Sequence, residues 1–218
     1  MDKISKMKAV IDRLSVLYPT AGPELNFTNP FETLIATMLS AQCTDKRVNM
    51  VTETLFRDYP DAKAMSAMTI PELEERIKEC GLYRMKAKHI YDTCRELCLK
   101  YDGTVPEDKE LLTKLPGVGN KTAGVVLMAA FGHDEIPVDT HVFRLAHRIG
   151  LVENANTADA TEAQLREIIP TGEKCHTHHL LIWHGRRCCK AIKPDCEHCP
   201  LAEDTICDFY KQEKTNVC

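Results

Sequence analysis

A lysine, an aspartate and a set of four clustered cysteines carry the chemistry open to this chain. Lys121 follows Pro116-Gly117-Val118-Gly119, a tight turn that runs into the apolar stretch Thr122 to Phe131. A turn of this kind delivers backbone N–H groups at a helix N-terminus, which makes an anion site suited to a phosphate. Both glycines can take positive φ and admit a close backbone, and Pro116 stops the preceding helix near Leu115. The positive end of the helix dipole disfavours a charged lysine, so a neutral, nucleophilic amine is expected at Lys121. Phosphate site and reactive amine then lie side by side.

Asp139 is the carboxylate able to join them. The helix expected over 122–131 is about 15 Å long, and residues 132–138, if extended, reach about 23 Å, enough for the chain to return along it. Spacing alone leaves a second role open for Asp139, as N-cap of the helix Thr140 to Ile149 that Gly150 ends. Cys189, Cys196, Cys199 and Cys207 form the pattern Cys-x6-Cys-x2-Cys-x7-Cys. Zinc sites usually present two close cysteine pairs and this pattern has one, so a four-thiolate iron–sulfur cluster fits at least as well, with zinc still open. Cys188 could serve as first ligand in place of Cys189 on chemistry alone. None of His176, His178, His179, His184 and His198 is assigned as a ligand, since histidines beside an apolar helix more often hydrogen-bond. Cys43 beside Gln42 has no base nearby in sequence to make it a nucleophile.

The elements that must position these groups are helices. Asn29, with Pro30 and Glu32, opens one whose buried stripe is Phe31, Leu34, Ile35, Met38 and Leu39; Thr44 or Asp45 caps the next. Thr69 and Glu72 mark another capping box, ending at Gly81, and Leu82-Tyr83 stands at a loop tip. A long helix follows, burying Ile90, Cys94 and Leu97; Pro106 is expected to start another, and further helices cover Gln164 to Ile169 and His178 to Gly185. No stretch alternates as a strand would, so the fold is expected to be all-α.

At 44% apolar content, 218 residues suffice for one large core or two modest ones. The net charge of −4 and pI near 6.1 exclude binding to nucleic acid by bulk charge, so any such footprint is local. Two acid-free basic patches qualify, Tyr83 to Ile90 and His184 to Lys193. Ile4, Met7, Val10, Ile11, Leu14 and Leu17 recur at helical spacing among charges, unlike an export signal, and no window suits a membrane span. An intracellular, cytoplasmic protein is expected, so the eleven cysteines point to a metal or redox cofactor rather than disulfides. Cys80, Cys94, Cys98, Cys175 and Cys218 are scattered.

The glycine turn with its lysine, Val138-Asp139-Thr140-His141 and the terminal cysteine cluster, in that order, resemble the helix-hairpin-helix DNA glycosylase superfamily. The likeness extends to Leu25-Asn26-Phe27, Phe31 to Asp45, Gly81-Leu82-Tyr83, Val105 to Asp108, Leu115 to Arg144, and His178 to Cys199. It implies two helical domains with a DNA-binding cleft between them. One, 22–133, has six helices and the hairpin; the other, 1–21 with 134–218, holds a [4Fe–4S] cluster. It also implies a base excision repair enzyme, acting as a monomer near the nucleoid. Such an enzyme flips oxidised pyrimidines out of double-stranded DNA, removes them and cuts the strand at the abasic site.

By position within that resemblance, Lys121 is the nucleophile and Asp139 its catalytic partner. Gly117 and Gly119 hold phosphate, Gln42 fills the gap left by the flipped base, and Leu82 wedges into the duplex, although core packing is an alternative for Leu82. Arg186, Lys190 and Lys193 contact the DNA backbone, and Cys189, Cys196, Cys199 and Cys207 hold the cluster. Monofunctional relatives lack the lysine. One departure is plain: seven residues, 200–206, separate the third and fourth cysteines where the superfamily usually has five. Asp195, an acid in the DNA-facing loop, is expected to weaken binding there.

Overall fold

The computed structural model describes residues 1–215, and Cys218 lies outside them. The described residues form helices and connecting turns, with no strand among them. No helix among them is long and apolar enough to cross a membrane. The chain divides into two compact units, residues 23–133 and residues 1–22 with 134–218.

In the unit of residues 23–133, α2 (Pro30–Ser40) packs against α8 (Asn120–Phe131), and the long α6 (Tyr83–Tyr101) against α4 (Ala62–Ser66) and α5 (Ile70–Ile77). Leu34, Ile35, Leu39, Ile90, Leu97 and Val126 are wholly buried in its core. The helix starts follow from local side-chain bonds. Asn29 accepts from the Glu32 amide, and Thr69 with Glu72 closes a full capping box on α5. Glu32 reaches one residue further back than a box requires, to the amide and hydroxyl of Thr28. Thr44, rather than Asp45, caps α3 (Asp45–Asp58).

Three local features of this unit differ from the sequence expectation. Pro106 lies in the irregular connector after α6, and α7 (Lys109–Thr113) starts three residues later because Asp108 supplies the cap. α4 is too short for a periodic signal and is set by the Asp61 cap. Lys86, taken as part of a basic patch, is buried and donates to the Leu39 carbonyl at 2.7 Å. That patch is further reduced by the Lys88–Asp92 ion pair.

In the other unit, α9 (Thr140–Ile149) packs against α11 (Lys174–Arg187), and α1 (Lys3–Leu17) against α11 and α10 (Ala158–Ile168). Helices α10 and α11 begin earlier than their apolar runs do, the first at the Thr157 cap. Met7, Val10 and Leu14 are buried, whereas Ile4 is 62% and Leu17 46% exposed. α12 (Asp208–Thr215) buries no residue.

Asp134 anchors the start of α11. Its carboxylate accepts from the amides of Gly172 at 2.7 Å and Lys174 at 2.9 Å, and pairs with the Lys174 ammonium at 2.7 Å. Partial burial pushes its pKa up, but Lys174 and the two amides outweigh it and hold the pKa below the usual value. A depressed folded-state pKa stabilises above the unfolded value and the benefit is lost as pH falls through the folded one. Asp134→Asn is therefore expected to destabilise the protein by about 1–2 kcal/mol at neutral pH. In urea titrations the difference from wild type narrows below about pH 4.

Candidate nucleic-acid interface and cluster site

The hairpin is built from its neighbours inward. Thr93 on α6 donates to the Pro116 carbonyl at 2.8 Å, and the Val118 amide closes the turn onto Leu115 at 3.1 Å. Leu115 and Val118 are buried and pin the turn to the core, leaving Gly117 and Gly119 exposed. Only Gly117 takes positive φ, at 75°; Gly119 is extended and serves as N-cap of α8, where no side chain caps the first turn. Lys121 is exposed in that first turn.

The two glycines therefore differ in tolerance. A Cβ on Gly117 would lie 2.7–2.8 Å from the His89 Nδ1, Cβ and Cγ atoms, while one on Gly119 meets nothing within 4 Å. Gly117→Ala is expected to cost about 1–3 kcal/mol through its left-handed φ, with displacement of His89 adding to that. Gly119→Ala costs less than about 1 kcal/mol, the weaker capping of alanine. Thermal unfolding of both variants separates the two glycines.

Asp139 is the N-cap of α9: its Oδ1 accepts from His141 N and Val142 N, both at 2.8 Å. Both bonds fall on one oxygen, and Oδ2 accepts none among the described residues. The carboxylate is half-buried, and burial, against the pull of Asp139, keeps the neighbouring His141 below its ordinary pKa. His141 thus favours the neutral form.

Gln42 lies exposed in the turn between α2 and α3, and Leu82, 48% exposed, begins α6. Both have left-handed backbones, φ 52° and 58°. The non-glycine residues with positive φ are Gln42, Leu82, Asp102, Asn154 and Lys193. Asp and Asn enter that region readily; Gln, Leu and Lys do so at a cost of about 1–2 kcal/mol. Gln42, Leu82 and Lys193 are among the seven residues for which the resemblance implies contact with DNA. Core packing for Leu82 is not what the structure has.

Lys193 and the exposed Lys190 belong to the loop between Cys189 and Cys196, and the exposed Arg186 lies in the last turn of α11. Two arginines that sequence reasoning missed hold this loop. Arg148 donates to the carbonyls of Lys190 at 2.7 Å and Ala191 at 3.0 Å, and Arg144 to those of Cys189 at 3.1 Å and Gly185 at 2.9 Å. Their position one turn apart on α9 was the available signal. Asp195 bonds the His198 ring at 3.0 Å, and this contact raises the His198 pKa above its ordinary value.

Cys189, Cys196, Cys199 and Cys207 line one small opening, with Cys188 and His184 at its wall. Burial lifts the thiols of Cys196, Cys199 and Cys207 above their ordinary range, Cys199 up to about 12, and neighbouring thiols add to it. Sulfurs so placed become thiolates only against a metal's positive charge, so the donor set fits a metal centre. Cys188, His184 and Cys199 also converge within 4.8 Å. The Cys188 thiol, however, donates to the Asp195 carbonyl at 3.2 Å. His184 approaches Cys199 Sγ at 3.4 Å and Tyr18 at 3.3 Å, using both ring nitrogens, and burial lowers its pKa to about 4. It is a neutral hydrogen-bonding neighbour of the sulfurs. The longer spacing before Cys207 is folded as a turn: Leu201 and Ile206 are buried, and Arg13 of α1 holds Pro200 O at 2.8 Å and the Glu203 carboxylate.

Comparison with known proteins bears directly on both sites. Residues 35–171 match the model of the HhH-GPD superfamily of base excision DNA repair proteins, and residues 189–204 that of the iron–sulfur binding domain of endonuclease III. The chain belongs to the endonuclease III family of base excision DNA repair proteins. It is 46% identical to endonuclease III of Rickettsia conorii over 88% of this chain and 90% of that protein. It is 42% identical to endonuclease III of Escherichia coli K12 over the whole of both. A solved structure of a trapped endonuclease III–DNA covalent intermediate superposes with a TM-score of 0.92 at 43% identity, covering 98% of this chain and all of the other. The chain is accordingly an enzyme, a DNA N-glycosylase with abasic-site lyase activity, and an iron–sulfur protein with a [4Fe–4S] cluster. The iron–sulfur match ends at Asp204, before Cys207.

Proposed function

We propose that this enzyme removes oxidised pyrimidines from double-stranded DNA and then cuts the strand through a Schiff base on Lys121. The observation that carries the proposal is the exposed Lys121 in the first turn of α8, straight after a glycine hairpin whose helix has no side-chain cap. Amides at that helix start hold a backbone phosphate, and the dipole assists. The similar endonuclease III trapped covalently on DNA supports a covalent route.

The lysine amine attacks the sugar C1′ as the damaged base departs with its bonding electrons and a proton. Loss of the ring oxygen from C1′ gives the iminium, which lets a base take a proton from C2′ while the 3′ phosphate leaves with the C3′–O electrons. Water then releases the amine. Asp139, with one oxygen tied to the α9 amides, stabilises positive charge developing on the sugar and assists the proton transfers. Gln42 occupies the vacated base position and Leu82 enters the stack, each presented by a strained backbone. Gly117 and Gly119 present phosphate-binding amides, and Arg186, Lys190 and Lys193 neutralise phosphates.

Cys189, Cys196, Cys199 and Cys207 hold the [4Fe–4S] cluster, which when bound fastens the tail and the Lys190–Asp195 loop. A duplex with one thymine glycol tests the function. Wild-type protein is expected to release the base, nick that strand and form an adduct reducible by borohydride; absence of any adduct overturns the proposal.

A further inference from the structure

Cys43 and Cys80 are used by neither the lysine chemistry nor the cluster. Cys43 lies in the α2–α3 connection, one residue after Gln42; Cys80 lies in the α5–α6 connection, two residues before Leu82. The backbones behind them touch: a Cβ on Gly81 would lie 2.8 Å from the Gln42 carbonyl oxygen, and burial, with Cys43 near enough to add to it, holds the Cys80 thiol above its ordinary pKa. Cys43 is half-buried and open to a small reagent, whereas Cys80 is 1% exposed. Lys86, buried beside them, and Arg47 place positive charge on the sulfur pair.

We propose that Cys43 and Cys80 are a redox modification site, and that their disulfide ties the Gln42 turn to the Leu82 tip and slows action on DNA. The effect on DNA rests on the roles proposed for Gln42 and Leu82; formation of the bond does not. Neighbouring sulfurs must close to about 2 Å to bond. Gly81 already abuts Gln42, so closure shifts the two strained turns instead of taking up slack.

The oxidant is a small-molecule disulfide such as glutathione disulfide. The Cys43 thiolate attacks one of its sulfurs and releases a glutathione thiolate, leaving a mixed disulfide. Cys80 then loses its proton and attacks the Cys43 sulfur, releasing the second glutathione. Two protein thiols are oxidised, one glutathione disulfide is reduced, and both protons end on glutathione. Cys80 is 1% exposed and out of reach of glutathione disulfide, so the half-buried Cys43 reacts first and Cys80 resolves the mixed disulfide.

The test equilibrates full-length, cluster-loaded protein anaerobically in glutathione redox buffers, with visible absorbance reporting an intact cluster. The expected result is a Cys43–Cys80 linked peptide by mass spectrometry and lesion cleavage slowed about tenfold or more, restored by dithiothreitol. Cys43→Ser and Cys80→Ala each abolish linkage and redox sensitivity. Mixed disulfides without the link, a link with cleavage unchanged, or equal slowing in both variants overturns the proposal. If the reduced wild type cleaves no lesion, the glycosylase proposal fails, and the peptide map and binding to undamaged duplex still decide the disulfide.

Discussion

Lys121→Ala is expected to abolish borohydride trapping on an abasic duplex and to lower strand cleavage on the order of 10³-fold or more, with folding intact. The size follows from what the amine does. Without it no iminium forms, and the C2′ proton must be removed with no electron sink beside it. Stability should hold because Lys121 is exposed and alanine suits a helix. DNA binding should hold as well, since the hairpin presents backbone amides that the substitution leaves in place. Lys121→Ala is thus expected to bind abasic duplex within about threefold of wild type, the few tenths of a kcal/mol usual for an exposed substitution. Cleavage that persisted in this variant would move the nucleophile elsewhere. Loss of binding along with cleavage would make Lys121 a phosphate contact.

Much of the scaffold under these residues was legible because helix starts are local events. Asn29, Thr69 with Glu72, and Asp139 each bond an amide two or three residues away, so residue type and spacing suffice. The hairpin was legible for the same reason, although only Gly117 needs its freedom of φ. Long-range partners were not. Lys86 looks like a surface cation by sequence, yet finds the Leu39 carbonyl 47 residues away. Arg13, Arg144 and Arg148 brace the cysteine tail from α1 and α9 through carbonyls, which any residue supplies and no motif marks. The strain at Gln42, Leu82 and Lys193 was hidden too, because nothing in those residue types asks for a left-handed backbone.

The dependence of the tail on its metal leads to the second large effect. Between Cys189 and Cys207 the buried apolar anchors are Leu201 and Ile206, and α12 beyond them buries nothing. So small an apolar area cannot offset the entropy of ordering a segment this long, at about 1–2 kcal/mol per residue for the backbone alone. Metal–thiolate bonding supplies the difference, and for such segments metal-binding free energy is folding free energy. Cys199→Ser is therefore expected to lose iron and visible absorbance and to destabilise the tail on the order of 5 kcal/mol or more, read as rapid proteolysis after α11. The Arg148 bonds to Lys190 and Ala191 go with it, so binding to duplex weakens even though Arg186, Lys190 and Lys193 are unchanged. Cys188→Ser is the contrast, since serine can donate the same bond to the Asp195 carbonyl; iron should stay. Cys207→Ser decides the fourth ligand. If it keeps full iron while Cys188→Ser loses it, the cluster is held by Cys188, and the Arg13-braced turn serves packing alone.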